Sequence, residues 1–493
     1  MVESPELGIG ALVFMGCYLL VMLGLGWLGR RSRQEESLKD FYLGGSSFGV
    51  AVLFLTLFAT QYSGNTLLGF AGRSYQQGLT YVVSVSFMVL VVTVFMVYAP
   101  RLYRLSQRFG YVTPADYVFH RFGSHRLRIL SVLLLCWGLA NYVLEQLVAM
   151  GHAVEAISAG RLGFMQGVLL LALVMLIYES LGGMRSVAWT DAVQGVLLLF
   201  GCLILLGILL RNDGGLVAVR EAVASTAPEK LEPPDAAGLR RWLSNLVLLG
   251  IGVAIYPHAI QRIFAAKSLV TLRRSLGLMA FMPLLTTLLA FLIGYVALRS
   301  HPGLSQLDSD KVTILVLGDL LALSPAAYWL VVMVFAAVVA AIMSTADSAL
   351  LSMGSMLTKD IYKAYLAPEA TPQQMLRVGK TLSWAIMGLL ITMAWVSLET
   401  ESSIWFLIRL KLEFMVQLAP TLLLGLHLRR LGSEEVFWGM LAGTSVTLTV
   451  WMSAALGWLS DRSPWGVSAG VWGLLLNLAI CLAPQALRQA REA

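Results

Sequence analysis

Apolar stretches, each followed by a few polar residues and then by another apolar stretch, fill almost the whole of this 493-residue chain. A helix needs about 20 apolar residues to cross the hydrocarbon core of a bilayer. Runs of that order fall near 8–29, 48–72, 79–100, 129–155, 163–182, 187–210, 242–262, 275–298, 324–350, 379–398, 403–428, 434–458 and 465–486. The pattern predicts an all-α polytopic membrane protein of about thirteen transmembrane helices joined by compact loops.

Two of the runs are interrupted near mid-depth. In the second, Ala59-Thr60-Gln61-Tyr62-Ser63-Gly64-Asn65-Thr66 breaks the apolar sequence; in the seventh, Gly250-Ile251-Gly252 followed by Tyr256-Pro257-His258 does the same. Helix breakers at that depth are tolerated where the freed backbone groups line a polar cavity. The interrupted runs open two consecutive five-span blocks, 48–212 and 242–428, which is the correspondence an inverted repeat requires. Ordinary kinks are the plainer alternative. The rest divides into 1–47, an N-terminal helix and loop; 213–241, an acidic, proline-containing loop with room for a short surface helix; and 429–493, two C-terminal helices with a short tail.

A third run carries hydroxyls and a carboxylate, in Ala340-Ala341-Ile342-Met343-Ser344-Thr345-Ala346-Asp347-Ser348. Helical spacing puts Ala341, Ser344, Thr345 and Ser348 on one face. Polar groups inside a membrane are costly and mark an ion or substrate path, and hard oxygens suit Na+ as they suit other hard cations. Hydroxyls that only bond back to carbonyls one turn earlier are the competing explanation.

Composition narrows the class further. With 58% hydrophobic and 13% charged residues, the chain is not a soluble globule. A formal charge of +7 could suggest nucleic acid, but the basic residues lie in short loops and form no stripe, so no nucleic-acid partner is expected. With the N-terminus outside, Arg30, Arg31, Arg33, the set from Arg101 to Arg128, Arg262, Lys267, Arg273, Arg274, Lys359, Lys363, Arg429 and Arg430 fall on the cytoplasmic side, where the C-terminus also ends. The first run follows no basic n-region and precedes no cleavage pattern, so it stays as a helix. Compact loops suit a bacterial inner membrane. Cys17, Cys136, Cys202 and Cys481 lie in separate runs, the histidines make no HExxH, and no GxxxxGK[ST] loop is present. A metalloprotease or an ATP-driven pump therefore finds no support. A non-enzymatic transporter driven by an ion gradient fits better.

Three motifs carry a resemblance. Gly182-Gly183-Met184-Arg185-Ser186-Val187-Ala188-Trp189-Thr190-Asp191-Ala192-Val193-Gln194 looks like the signature of the sodium:solute symporter family, Ala341-Ile342-Met343-Ser344-Thr345 resembles its sodium-site helix, and Gln261-Arg262-Ile263-Phe264-Ala265-Ala266-Lys267-Ser268 is a third match. The resemblance implies the leucine-transporter-like fold of two inverted five-helix repeats and alternating access driven by Na+ as coupling ion. It implies a sodium site built from the carbonyls of Ala59, Tyr62 and Ala341 and the side chains of Ser344 and Thr345. It also implies that Asp191 faces the sodium exit route, with Asp347 and Ser348 at positions where some members hold a second sodium. A carboxylate stands at 347 where a hydroxyl is more usual, so the two carboxylates either hold a second cation or share a proton. Asp191 as a helix cap is the alternative.

By family position the solute faces Gln61, Ser63, Asn65 and Thr66, Tyr142 and Gln146, and Tyr256 and His258. Arg409 and Lys411 could attract an anion through an outer vestibule, although Arg409 and Glu413 also stand at the i, i+4 spacing of a self-neutralising pair. Surplus positive charge points to a small organic anion such as a monocarboxylate or a pantothenate-like acid, and the wording of the first broken helix looks closer to those branches than to the sugar or proline ones. A proline-type member would offer a carboxylate where Gln61 stands. A sodium-coupled sugar or amino-acid symporter is the alternative within the class, and a non-transporting membrane sensor the alternative outside it.

Overall fold

The computed structural model describes residues 8–492 except 33, 34, 36, 159, 212–214, 307, 324–326 and 401–403. Among the described residues the regular elements are helical. The one extended pairing there is a bridge between Phe48 and Ala266, closed by Phe48 N–H to the Ala265 carbonyl at 3.2 Å and Lys267 N–H to the Phe48 carbonyl at 3.0 Å. Among the described residues, ten helices are long and apolar enough to cross a membrane. Three of the expected runs fall outside that count because each is short or interrupted: Val50–Gln61 ends mid-run, Ile404–Met415 gives way to a π-type turn at Pro420–Leu424, and the apolar part of the last helix is Ala469–Pro484.

The first expected interruption is a real break. Helix Val50–Gln61 stops at Tyr62 (φ −104°, ψ 86°), whose N–H reaches the Phe58 carbonyl, and the chain resumes as a π-type turn, Asn65–Gly69, before helix Phe70–Gln77. Gly64 sits in the gap because nothing larger fits. A Cβ there would come 2.3 Å from Ile342 Cγ1. The second break is one turn later than the glycines suggest: helix Ala236–Gly252 runs into a short 3-10 turn, Val253–Ile255, and parts at Tyr256 (ψ 130°), where Pro257 starts helix Pro257–Ala265. Proline lacks an N–H and favours an extended residue before it, so the break belongs to Tyr256.

Helix Tyr328–Met356 is the hub. It packs against Val50–Gln61, His125–Ile157 and Met184–Arg211, and the apolar window of its span is 83% buried, against 28% for the first helix and for Pro372–Val396. Helices buried on all sides in a membrane protein are those that do not face lipid, which is where polar side chains can be accommodated. The signature motif has a local cause as well. Gly183 (φ +59°) ends helix Phe164–Gly182, donating to the Glu179 carbonyl, and lets the chain restart at Met184; a Cβ there would lie 2.4 Å from the Phe41 carbonyl. The loop expected at 213–241 contains helix Gly215–Thr226 and a 3-10 turn, Pro228–Leu231.

Candidate sodium and solute site

Where the first break meets the hub helix, oxygens converge. Ser344 Oγ donates to the Ala59 carbonyl at 2.9 Å and lies 3.2 Å from the Ala341 carbonyl, which also accepts from Thr345 Oγ1 at 2.9 Å. All of these residues are buried. The end of helix Val50–Gln61 explains the Ala59 contact: past Gln61 no regular helix continues to occupy that carbonyl, so a hydroxyl 285 residues away takes it. The back-bond to Ala341 coexists with the tertiary contact, and four of the five expected sodium oxygens are thus linked in one chain of hydrogen bonds. Tyr62, the fifth residue, provides the non-helical backbone at the break.

Below this cluster the expectation about two neighbouring carboxylates changes. Asp191 and Asp347 are both fully buried, and the guanidinium of Arg262 serves the pair. Arg262 Nη2 stands 2.7 Å from Asp191 Oδ2 and 2.5 Å from Ser348 Oγ, while Nε donates to Thr56 Oγ1 at 2.8 Å and Nη1 to the His258 carbonyl at 3.0 Å. Ser348 in turn donates to Asp347 Oδ1 at 3.0 Å, and the hydroxyls of Thr56 and Tyr178 donate to Asp191 Oδ2 and Asp347 Oδ2 respectively. Arg262 is therefore no loop charge, as its place in the positive-inside count assumed. It is 0% exposed and pairs directly with Asp191, reaching Asp347 only through Ser348, so one positive charge faces two carboxyl groups. Asp191 is not a cap either, since its helix begins at Met184. Its second oxygen, Oδ1, is buried without a hydrogen-bond partner.

Beside the expected sodium oxygens lies a cavity of about 30 Å³ lined by Gln61, Ser63, Thr66, Tyr142, Tyr256 and Lys411, with Phe70, Met88 and other apolar residues closing it. Six of the expected residues thus share one wall or floor. His258 lies a layer back, its ring 5.7 Å from that of Tyr142 and 5.1 Å from that of Tyr256. Both ring nitrogens of His258, both amide atoms of Gln146 and Nε2 of Gln61 are buried without partners. The side chain of Asn65 lies outside the described residues. The Tyr142 hydroxyl is within side-chain bonding reach of both Ser63 and Thr345, which ties the cavity to the sodium oxygens through a single ring.

Lys411 is placed differently from the expectation of an anion attractor at the mouth. Its Nζ is 2.7 Å from Glu145 Oε2 with the two side chains 2% and 0% exposed, and it rides 3.6 Å above the Tyr142 ring. Glu145, the residue before Gln146 on helix His125–Ile157, is the partner that holds Lys411. Arg409 stays apart from the cavity, bonded to Glu413 at 2.8 Å and to Ser463 at 2.8 Å; it is the structural pair its i, i+4 spacing allowed. The sequence offers Lys411 as an anion attractor and Arg262 as a motif residue and cytoplasmic charge; that Arg262 meets Asp191 and that Lys411 pairs with Glu145 is visible only in the fold.

A sequence model of the Sodium:solute symporter family matches residues 41–443. The chain belongs to this family. Similar curated proteins include the "High-affinity proline transporter PutP" of Bacillus subtilis (strain 168), 28% identical over 432 residues with 86% of this chain and 89% of that one covered. The "Sodium/proline symporter" of Escherichia coli (strain K12) is 26% identical over 500 residues, covering 98% and 95%. Among solved structures, a Na+-coupled sialic acid symporter in a substrate-bound outward-open state superposes with a TM-score of 0.77 at 20% identity, covering 97% of this chain and 98% of that one. The fold is thus the leucine-transporter-like one, and the protein is a multi-pass membrane symporter coupled to Na+ and acting on a small solute. The expected monocarboxylate or pantothenate-like acid finds no support in these relatives.

Proposed function

We propose that the chain is a sodium-coupled symporter of a small amino or imino acid, L-proline being the leading candidate, with the N-terminus outside and the C-terminus in the cytoplasm. The observation that carries the substrate class is the buried Glu145–Lys411 pair, of which Lys411 lines the cavity. A lone carboxylate drawn to Lys411 would leave Glu145 buried and uncompensated, and an unpaired buried charge costs about 3–5 kcal/mol. A zwitterion brings both charges, its carboxylate to Lys411 and its ammonium to Glu145, so neither partner is abandoned. Glu145 then supplies from the facing helix the carboxylate that Gln61 does not.

In this reading Na+ binds the carbonyls of Ala59, Tyr62 and Ala341 with Ser344 Oγ and Thr345 Oγ1. Bound there, it pulls the first broken helix onto the hub and, through Tyr142, steadies the solute wall. Coupling follows because the ion binds best to the arrangement that also holds the solute. Opening toward the cytoplasm requires Arg262 to leave Asp191, whose freed oxygens then receive the departing ion. Proteoliposomes with an inward Na+ gradient and radiolabelled L-proline, lactate, pantothenate or glucose test the substrate class. Accumulation of L-proline or another amino acid, lost in Lys411→Met, is expected; accumulation of lactate or pantothenate with no amino acid contradicts it.

A further inference from the structure

Tyr178, whose hydroxyl donates to Asp347, is followed on helix Phe164–Gly182 by Glu179, a buried carboxyl outside the sodium and solute sites. Its Oε1 accepts from Ser383 Oγ at 2.9 Å, and its Oε2 is buried with no hydrogen-bond partner. Among the described residues no ion pair reaches it. The buried charges on the helices packed against Phe164–Gly182 are engaged elsewhere: Arg128 with Asp360, Glu145 with Lys411, Arg185 with Asp40 and Asp191 with Arg262. Lys380, half-buried on helix Pro372–Thr400, lies over the Phe41 ring, Tyr18 of the first helix accepts from Gln194, and His152 packs on Phe164 at the other end of the helix. Asp347 interacts electrostatically with Glu179 as well as with Asp191 and Arg262. Three buried carboxyls thus stand around a single guanidinium.

A carboxyl with no cationic side chain at hand in a membrane interior either holds a metal ion or gives up its charge to a proton. A hard cation gathers several oxygens, whereas Glu179 offers one idle oxygen, and among the described residues no three His, Cys, Asp or Glu side chains converge as a metal site would need. A proton needs one oxygen only. A way out lies beside it, where the hub and helix Pro372–Thr400 meet through glycines. A Cβ at Gly354 would lie 3.1 Å from Ser383 Oγ, and one at Gly379, a turn from Ser383, would lie 3.1 Å from Thr358 Oγ1 and strike the Tyr42 hydroxyl. The hydroxyls of Ser383, Thr358 and Tyr42 therefore follow one seam, and Tyr42 belongs to helix Leu38–Leu43, in the loop that the proposed topology puts in the cytoplasm. We propose that Glu179 is a proton-binding site whose proton and the transported Na+ exclude each other, an assignment that rests on the sodium reading above. Na+ arriving beside Asp347 and Asp191 satisfies the carboxyls that surround Arg262, so Glu179 can ionise and its proton leaves past Thr358 and Tyr42; the proton returns as Na+ departs. Linkage makes the exclusion reciprocal.

The test is proton release on adding NaCl to the purified full-length protein in weakly buffered lipid nanodiscs, read with a pH-indicator dye, beside Na+-dependent thermal stabilisation at a series of pH values. Wild type should release protons with NaCl but not with KCl, and its apparent Na+ affinity should fall on acidification by up to about tenfold per pH unit, the limit for one proton displaced by one ion. Glu179→Gln, in which Ser383 still has an oxygen to bond, should release none and bind Na+ with an affinity that no longer follows pH. Ser383→Ala removes a hydroxyl that favours the carboxylate, so its Na+ affinity should begin to fall at a higher pH than that of wild type; this variant decides the matter if Glu179→Gln does not fold. Equal proton release from wild type and Glu179→Gln, or a pH dependence unmoved in Ser383→Ala, overturns the proton site and leaves the sodium reading standing. Absence of any Na+ stabilisation in wild type overturns both.

Discussion

At the scale of single residues, Arg262 decides the charge balance beside the proposed sodium oxygens. One guanidinium meets Thr56, Asp191, Ser348 and the His258 carbonyl, which a planar fork with five donors can do and a point charge cannot. Arg262→Met should therefore destabilise the protein by about 3–5 kcal/mol, the usual penalty for stranding a buried partner, seen as a lower thermal unfolding midpoint. Adding Asp191→Asn should restore much of that loss, while Arg262→Lys should not. If Arg262→Met unfolds at the wild-type temperature, the compensation account is wrong. This network was not legible in the chain, because residues 56, 191, 262 and 348 meet only through tertiary packing. Ser344 and Thr345 were legible for the opposite reason: four polar or small residues at i, i+3, i+4 and i+7 declare a shared face without any knowledge of what packs against it. Glu145 and Lys411 look like unrelated charges in two apolar runs until the fold sets them 2.7 Å apart.

Among the elements, the two breaks are what the fold spends its irregular backbone on. The first was readable from Gln61-Tyr62-Ser63-Gly64, polar residues with a glycine in an apolar run; the second was readable too, although Pro257 rather than the preceding glycines fixes its position. What the chain could not tell is the tightness of the contact at Gly64. A methyl group there would sit 2.3 Å from Ile342 Cγ1, with Gln146 Oε1 at 3.3 Å. Gly64→Ala should push the first broken helix off the hub, costing about 1–3 kcal/mol as overpacking does, and should weaken Na+ binding in the same step because Ala59 moves with it. Gly64→Ala/Ile342→Ala should recover Na+ affinity. Isothermal titration with Na+ reads both variants, and an unaltered affinity in Gly64→Ala would show that this contact does not set the ion site. The shorter count of long apolar helices also belongs to this scale, since Val50–Gln61, the first piece of the first broken helix, is too short to look like a span on its own.

For the whole molecule, the family and fold account for the transporter class, and the proposed orientation rests on where the basic loops fall. In a background with Cys17, Cys136, Cys202 and Cys481 replaced by serine, Glu232→Cys should react with a membrane-impermeant maleimide in intact cells, and Arg429→Cys only after permeabilisation; the reverse pattern would invert the topology. Polytopic architecture was legible from apolar run length alone because the bilayer imposes it. The identity of the solute was not, because a surplus of positive charge across the chain says nothing about which charges end in the cavity. The central claim is that Na+ binds between the first broken helix and the hub and that this binding drives transport. The most direct test is Na+-dependent thermal stabilisation of purified wild type beside Ser344→Ala/Thr345→Ala, because a ligand that binds only the native state must stabilise it by mass action. The account predicts a midpoint that climbs with NaCl but not with KCl in wild type and stays flat in the folded double variant. Equal stabilisation of the two proteins by Na+ would place the ion elsewhere and contradict it.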